Sequence, residues 1–173
     1  NIKERPRLMI ERSRCLLPAT DACEIGDCLN NDSEKYYYDD RHVFACLPSS
    51  QRSSEPANIV GYDAMYYLTL AEMFQDILAL PDKPIEELVA EIIEREHAFT
   101  IPQIQRIVDQ NGHVLYRKGE KNLFPVVNRD GKSISIVGLS RRSDKRWRVE
   151  RWDVSRIHRS DTTSIRMFLA DPN

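Results

Sequence analysis

Residues 84–112, PIEELVAEIIEREHAFTIPQIQRIVDQNG, carry two helical stripes in succession, and at their end the hydrophobic period changes. Ile85, Leu88, Val89, Ile92 and Ile93 recur at the i, i+3, i+4, i+7, i+8 spacing of an amphipathic helix. Asp82 is the expected N-cap, and Pro84 belongs in the first turn. The second stripe, Ile101, Ile104, Ile107 and Val108, opens on Thr100 and Gln103, the capping-box pair, and closes at Asn111-Gly112. These signals predict helices over 84–97 and 101–111.

Beyond Gly112 the period drops from 3.6 to about 2, the mark of extended chain. His113–Arg117, Leu123–Asn128, Lys132–Leu139, Arg146–Val154 and Ile165–Leu169 read as strands. Asn128-Arg129-Asp130-Gly131 is a turn that should join the second and third into a hairpin. Pro125 lacks a ladder donor and argues for an edge position. Upstream, Tyr62, Tyr66, Met73, Ile77 and Leu80 recur at helical spacing, which predicts a helix over 62–80 that stops before Pro81. Leu8–Ile10 and Val43–Leu47 read as short strands. Residues 48–58 hold four serines, two prolines and almost nothing apolar, and so are expected to be a mobile loop. The fold class that follows is α+β. It has three helices packed on one face of a mostly antiparallel sheet formed mainly by residues 113–170, in a single domain spanning 1–173.

With 173 residues, of which 41% are hydrophobic, the chain is long enough to bury a core without disulfide staples. No apolar run approaches the roughly 20 residues needed to cross a bilayer. The expectation is a soluble, cytoplasmic protein with no membrane partner. The formal net charge of −2 excludes a generally polybasic or polyacidic chain, but it conceals a division. Residues 1–60 carry a net −2, residues 61–112 a net −7 and residues 113–173 a net +7. Such halves either attract each other within one fold or leave the basic half facing an acidic partner.

The basic half is densest where Arg141, Arg142, Arg146, Arg148 and Arg151 alternate with Trp147 and Trp152, followed by Arg156 and Arg159. Arginines neutralise phosphates and exposed aromatic rings stack on unpaired bases, so the mixture suits RNA or single-stranded DNA. Alternation opposes this, because it sends the two tryptophans to opposite faces and one of them into the core. The five arginines from Arg141 to Arg151 are the candidate binding residues, for nucleic acid or for a protein.

A second grouping is Cys23-x4-Cys28 followed, after thirteen residues, by His42-x3-Cys46. Two close pairs of thiolate and imidazole ligands are what tetrahedral zinc takes. The first pair is wider than the usual spacing, and no glycine or proline shapes a knuckle. Buried or free thiols, or disulfides that include Cys15, explain the same residues. No other cofactor is implied: the six glycines form no phosphate-cradling loop.

Patterns that resemble enzyme or DNA-binding motifs are isolated. The 84–111 helix pair followed by strands resembles a winged helix-turn-helix, with Gln103, Arg106 and Gln110 outward, but Glu86, Glu87, Glu91, Glu94 and Glu96 would repel phosphate. Asp130-x-Lys132 resembles a metal-nuclease pattern, yet it sits in the hairpin turn. Arg117, Ser133, Ser135 and Glu150 imitate the strand residues of ADP-ribosyltransferases. His97, at the end of an acidic helix, reads as a partner for the helix dipole. None of these assigns an activity. The reading is a non-enzymatic interaction or regulatory domain acting through a protein partner. Its alternatives are a nucleic-acid-binding accessory protein using strands 141–159 and a small enzyme whose site is dispersed in sequence.

Overall fold

The computed structural model describes residues 7–17, 20–24, 29, 34–38, 44–48, 50–53, 57–118, 120–155 and 165–171. In chain order these form β1 (Leu8–Leu17), β2 (Thr20–Glu24), β3 (Tyr36–Tyr37), β4 (Ser50–Ser53) and β5 (Ala57–Met65). Then come α1 (Leu70–Ile77), α2 (Ile85–Glu94), α3 (Ile101–Gln110) and a single 3-10 turn at Gly112–Val114. The chain finishes with β6 (Asn122–Val127), β7 (Ile134–Arg141), β8 (Trp147–Asp153) and β9 (Ile165–Asp171). The class is α+β, with more strands than helices. No helix among the described residues is long and apolar enough to cross a membrane.

Seven strands make one sheet in the order β1-β5-β9-β6-β7-β8-β3, and β2 pairs with β4 in a separate ribbon. The sheet is mixed, not mostly antiparallel as expected: β6 runs parallel to β9 and β3 runs parallel to β8. Residues from 113 onward do supply four of its seven strands, β6 to β9, while β1 and β5 add one whole side of it.

The helices do not share a face. Ile101, Ile104 and Ile107 of α3 pack with Phe124, Val137, Leu139, Trp147 and Phe168, joined by Leu29, Phe44 and Leu47. Leu70, Met73 and Phe74 of α1 and Val89 and Ile92 of α2 pack with the alternate strand residues Leu123, Ile136, Trp152 and Met167. The sheet is therefore the middle of three layers. This explains why its strands read as near-continuous apolar runs, as in LFPVV and ISIV.

The expected helix over 62–80 is replaced by strand β5, a break, and the short α1. Tyr62 lies on β5 opposite Met167 of β9, and Tyr66 turns the chain with φ of 67°. The true start is a capping box: Thr69 Oγ1 accepts the Glu72 N–H at 3.1 Å, and Glu72 accepts the Thr69 N–H at 3.0 Å. The expected box at Thr100 and Gln103 forms at α3. At α2, however, Pro84 is the N-cap, and Asp82 instead accepts from Gln75 Nε2 at 2.6 Å.

Three expected strands or loops also change. Of residues 113–117, His113 and Val114 belong to the 3-10 turn and 115–117 are irregular, and Asn122 then stands in for a neighbouring strand. Its amide accepts from Tyr116 N at 2.8 Å and donates to the carbonyls of Tyr116 and Leu139, each at 3.1 Å. Residues 44–47 form a turn that buries Phe44 and Leu47, where a strand over 43–47 was expected. Within 48–58, Ser50–Ser53 and the start of β5 are strand.

The Asn128–Gly131 hairpin forms as expected, with Gly131 at φ of 71°. Pro125 is not on an edge strand. β6 pairs with β9 only through Asn122 and Leu123, after which Phe99 takes the vacated side and donates to the Pro125 carbonyl at 2.7 Å. A residue's N–H and C=O leave a strand on the same side. The missing donor therefore falls where β9 no longer needs one.

Candidate functional site

The five candidate arginines separate by strand parity. On β8, Trp147, Val149 and Arg151 face the α3 layer, while Arg148, Glu150 and Trp152 face the α1–α2 layer. Both tryptophans are only 3% exposed. Alternation does send them to opposite faces, but each face is core, so neither ring is available to stack on a base.

Arg142, Arg146 and Arg148 come together at one corner. The guanidinium carbon of Arg142 lies 4.3 Å from the Tyr37 ring centroid and that of Arg146 lies 5.3 Å from it. Both arginines pair with Asp144, at 3.6 and 2.9 Å, and Tyr37 is the register partner of Arg148. Arg148 also reaches Glu150 at 3.1 Å. Arg141 is elsewhere, with its guanidinium carbon 5.1 Å from the Trp147 centroid.

Glu150 anchors that corner. It accepts from Lys121 Nζ at 2.8 Å and from the Trp152 indole N–H at 2.7 Å. Burial works to raise its carboxyl, but Lys121, Trp152 and Arg148 outweigh burial and hold it below the ordinary carboxylate range.

Arg151 lies in a cleft of about 360 Å³ between the N-terminal turn of α2 and the β6–β7 hairpin. The cleft takes in both faces at this end of the sheet: Ile85, Val89, Ile134 and Val154 supply an apolar wall from the α1–α2 side, with Lys132, Glu86, Asp153 and Cys46 also lining it. Arg151 Nε donates to Ser135 Oγ at 2.7 Å. Ser135 is fully buried and its hydroxyl donates to Asn128 Oδ1, while Asn128 Nδ2 donates to Ser133 Oγ at 2.8 Å. Sequence reasoning placed Arg151 among phosphate-binding arginines and missed the Ser135–Asn128 relay. The signal was a pair of polar residues at buried strand positions.

A second polar knot is built on β5 and β9. Arg166 Nε donates to Asp63 at 2.7 Å and Nη1 to the Val114 carbonyl at 2.7 Å, and Arg12 donates to Asp63 at 3.0 Å. The sequence did not single out this group, because its members lie far apart along the chain.

The remaining motifs form no assembled site among the described residues. Asp130 is a turn cap, accepting the backbone N–H groups of Lys132 and Ser133 at 2.8 and 2.9 Å. Ser135 and Glu150 are on opposite faces, and Arg117 donates to the Gly112 carbonyl at 3.2 Å. Gln103 is buried as the α3 cap, so α3 presents no reading face there. His97 ties the end of β9 in place: its Nδ1 donates to the Ala170 carbonyl at 2.7 Å, and its own carbonyl accepts the Ala170 N–H at 2.9 Å. Cys28, His42, Arg156 and Arg159 lie outside the described residues. Cys23 is on β2, and Cys46 is exposed in the 44–47 turn. Among the described residues, no three of His, Cys, Asp and Glu stand close enough to hold a metal ion.

The two edges of the main sheet differ. At one, β3 and the Lys35 carbonyl, which accepts the Trp147 N–H at 2.8 Å, close the top of β8. At the other, β1 pairs with β5 alone among the described strands. Leu8 and Leu16, the two exposed large hydrophobics among the described residues, are both on β1, at 43% and 60% exposure.

No family model, curated protein or solved structure matches the chain.

Proposed function

We propose that the protein is a non-catalytic binding domain that takes up an extended strand of a partner protein along β1. The observation that carries this reading is the presence of both exposed leucines on β1, which pairs with β5 alone among the described strands. Ten residues at about 3.3 Å each give an edge of roughly 33 Å. Main-chain hydrogen bonds along such an edge provide affinity, and alternate side chains provide selectivity. Proteins that must avoid strand addition blunt their edges with charge and bulges. Here the bulge between Glu11 and Ser13 and the charges of Glu11, Arg12 and Arg14 occupy the middle, and the leucines flank them on either side.

Panning a random octapeptide library on the protein tests the reading. Selected peptides are expected to perturb the β1 amides, to lose binding in Leu16→Asp, and to tolerate N-methylation only at every second residue. Peptides that perturb other surfaces, or no enrichment at all, overturn it. A concentration-dependent dimer that Leu16→Asp dissolves makes the occupant a second copy of the chain and overturns a separate partner.

A second reading rests on the grouping of Arg142, Arg146 and Arg148 around Tyr37. On this reading the corner binds single-stranded nucleic acid through phosphates. Its affinity should fall with salt at a log–log slope near −0.7 per contact. Arg146→Glu with Arg148→Glu should abolish it. No binding of labelled RNA or DNA at low salt ends this reading.

A further inference from the structure

We propose that the cleft between α2 and the β6–β7 hairpin binds a monocarboxylate with a short aliphatic body, its carboxylate held by Arg151. The Ser135 hydroxyl proton is committed to Asn128, which leaves an oxygen lone pair to receive Arg151 Nε–H. Asn128 is itself held by Ser133. A buried relay thus orients the guanidinium through its inner nitrogen, while the two terminal nitrogens make no hydrogen bond among the described residues and lie in the field of the Asp153 carboxylate. That outer fork matches the two oxygens of a carboxylate. Preorganisation removes much of the ordering cost that a free arginine side chain would impose on binding.

The rest of the cleft restricts the ligand. Lys132, exposed on the hairpin, adds a second cation to the lining, near the Asp130 carboxylate. Ile85, Val89, Ile134 and Val154 offer an apolar wall to a hydrocarbon body, and a volume of about 360 Å³ accommodates a small ligand. Glu86 and Asp153 also line the cleft. Two carboxylates beside the fork tolerate one ligand charge and disfavour a dianion, which selects a carboxylate over a phosphate.

The probe is 4-methylpentanoate, titrated into the intact protein and followed by amide chemical shifts. Its neutral isostere 4-methylpentanamide and inorganic phosphate serve as comparisons. We expect saturable shifts at Lys132–Ile134 and Arg151–Val154 with a Kd of about 1 mM or tighter. The amide should bind at least about tenfold more weakly, since the charge-assisted fork has nothing to grip, and phosphate should not saturate. Arg151→Gln should weaken the acid by about tenfold or more. Lys132→Met, an exposed change that spares the relay, should weaken it several-fold even if Arg151→Gln fails to fold. Absence of saturable shifts, equal binding of acid and amide, preference for phosphate, or indifference to Lys132→Met with Arg151→Gln folded and unimpaired overturns the proposal.

Discussion

Arg166 sits over Tyr116, its guanidinium carbon 4.0 Å from the ring centroid, while its nitrogens reach Asp63. Gly61 makes room for this. A Cβ there would stand 3.0 Å from Phe168 Cε1 and 3.3 Å from Arg166 Cδ. Asp63 and Arg166 are 11% and 13% exposed at the side chain, so each is costly to leave alone. Asp63→Asn should therefore destabilise the protein by about 3 kcal/mol. Gly61→Val should cost about 1–3 kcal/mol through crowding. Urea unfolding monitored by circular dichroism reads both, and unchanged midpoints contradict the packing described.

The two cores on opposite sides of the sheet should behave independently. Ile92→Ala and Ile107→Ala each remove a fully buried side chain, one from each layer, and should each cost about 2–5 kcal/mol. Because the sheet separates them, the double variant should show a coupling below about 0.5 kcal/mol. A larger coupling would mean that the helices share one core.

Trp147 and Trp152 should fluoresce as buried indoles. Iodide should quench each single-tryptophan variant far less than free tryptophan, before and after addition of any oligonucleotide. Strong quenching of either one contradicts the 3% exposure of both rings.

Glu150 gives the acid limb of stability a definite sign. Its carboxyl is held below the ordinary range, so the folded state stays ionised where the unfolded chain has begun to protonate. The stability it contributes is complete above the unfolded value of about 4.3 and is lost as pH falls below that through the folded value. The melting temperature of the wild type should therefore drop more steeply below about pH 4.3 than that of Glu150→Gln. Parallel curves would show that Lys121 and Arg148 do not favour the charged form.

Much of the fold could be read where one element imposes one period. The helices α2 and α3, the β6–β7 hairpin and β7–β9 emerge from stripes, caps and the Asn128–Gly131 turn. β5 was concealed because a strand covered on both faces does not alternate, and Tyr62 and Tyr66 happen to fall four residues apart. Thr69-x-x-Glu72 was present as a signal and was outweighed by that coincidence. The one-faced helical layer was wrong for a related reason: periodicity shows that α3 has an apolar side but not which face of the sheet receives it. Of the candidate site, the arginines could be found in sequence and their division by strand parity was implicit. The relay that orients Arg151 was not, since Asn128, Ser135 and Arg151 meet only across the β6–β7–β8 register.

The place of β9 in the sheet governs when the fold can form. β9 fills the gap between β5 and β6, and its Arg166 closes on Asp63 from 103 positions away. Until residues 165–171 leave the ribosome, the β1–β5 pair and the β6–β7–β8 meander are two fragments, each with a raw inner edge. Closure of so long a loop is slow, so the nascent chain must hold both edges apart from other strands until β9 arrives. A chain truncated before residue 165 should accordingly be aggregation-prone.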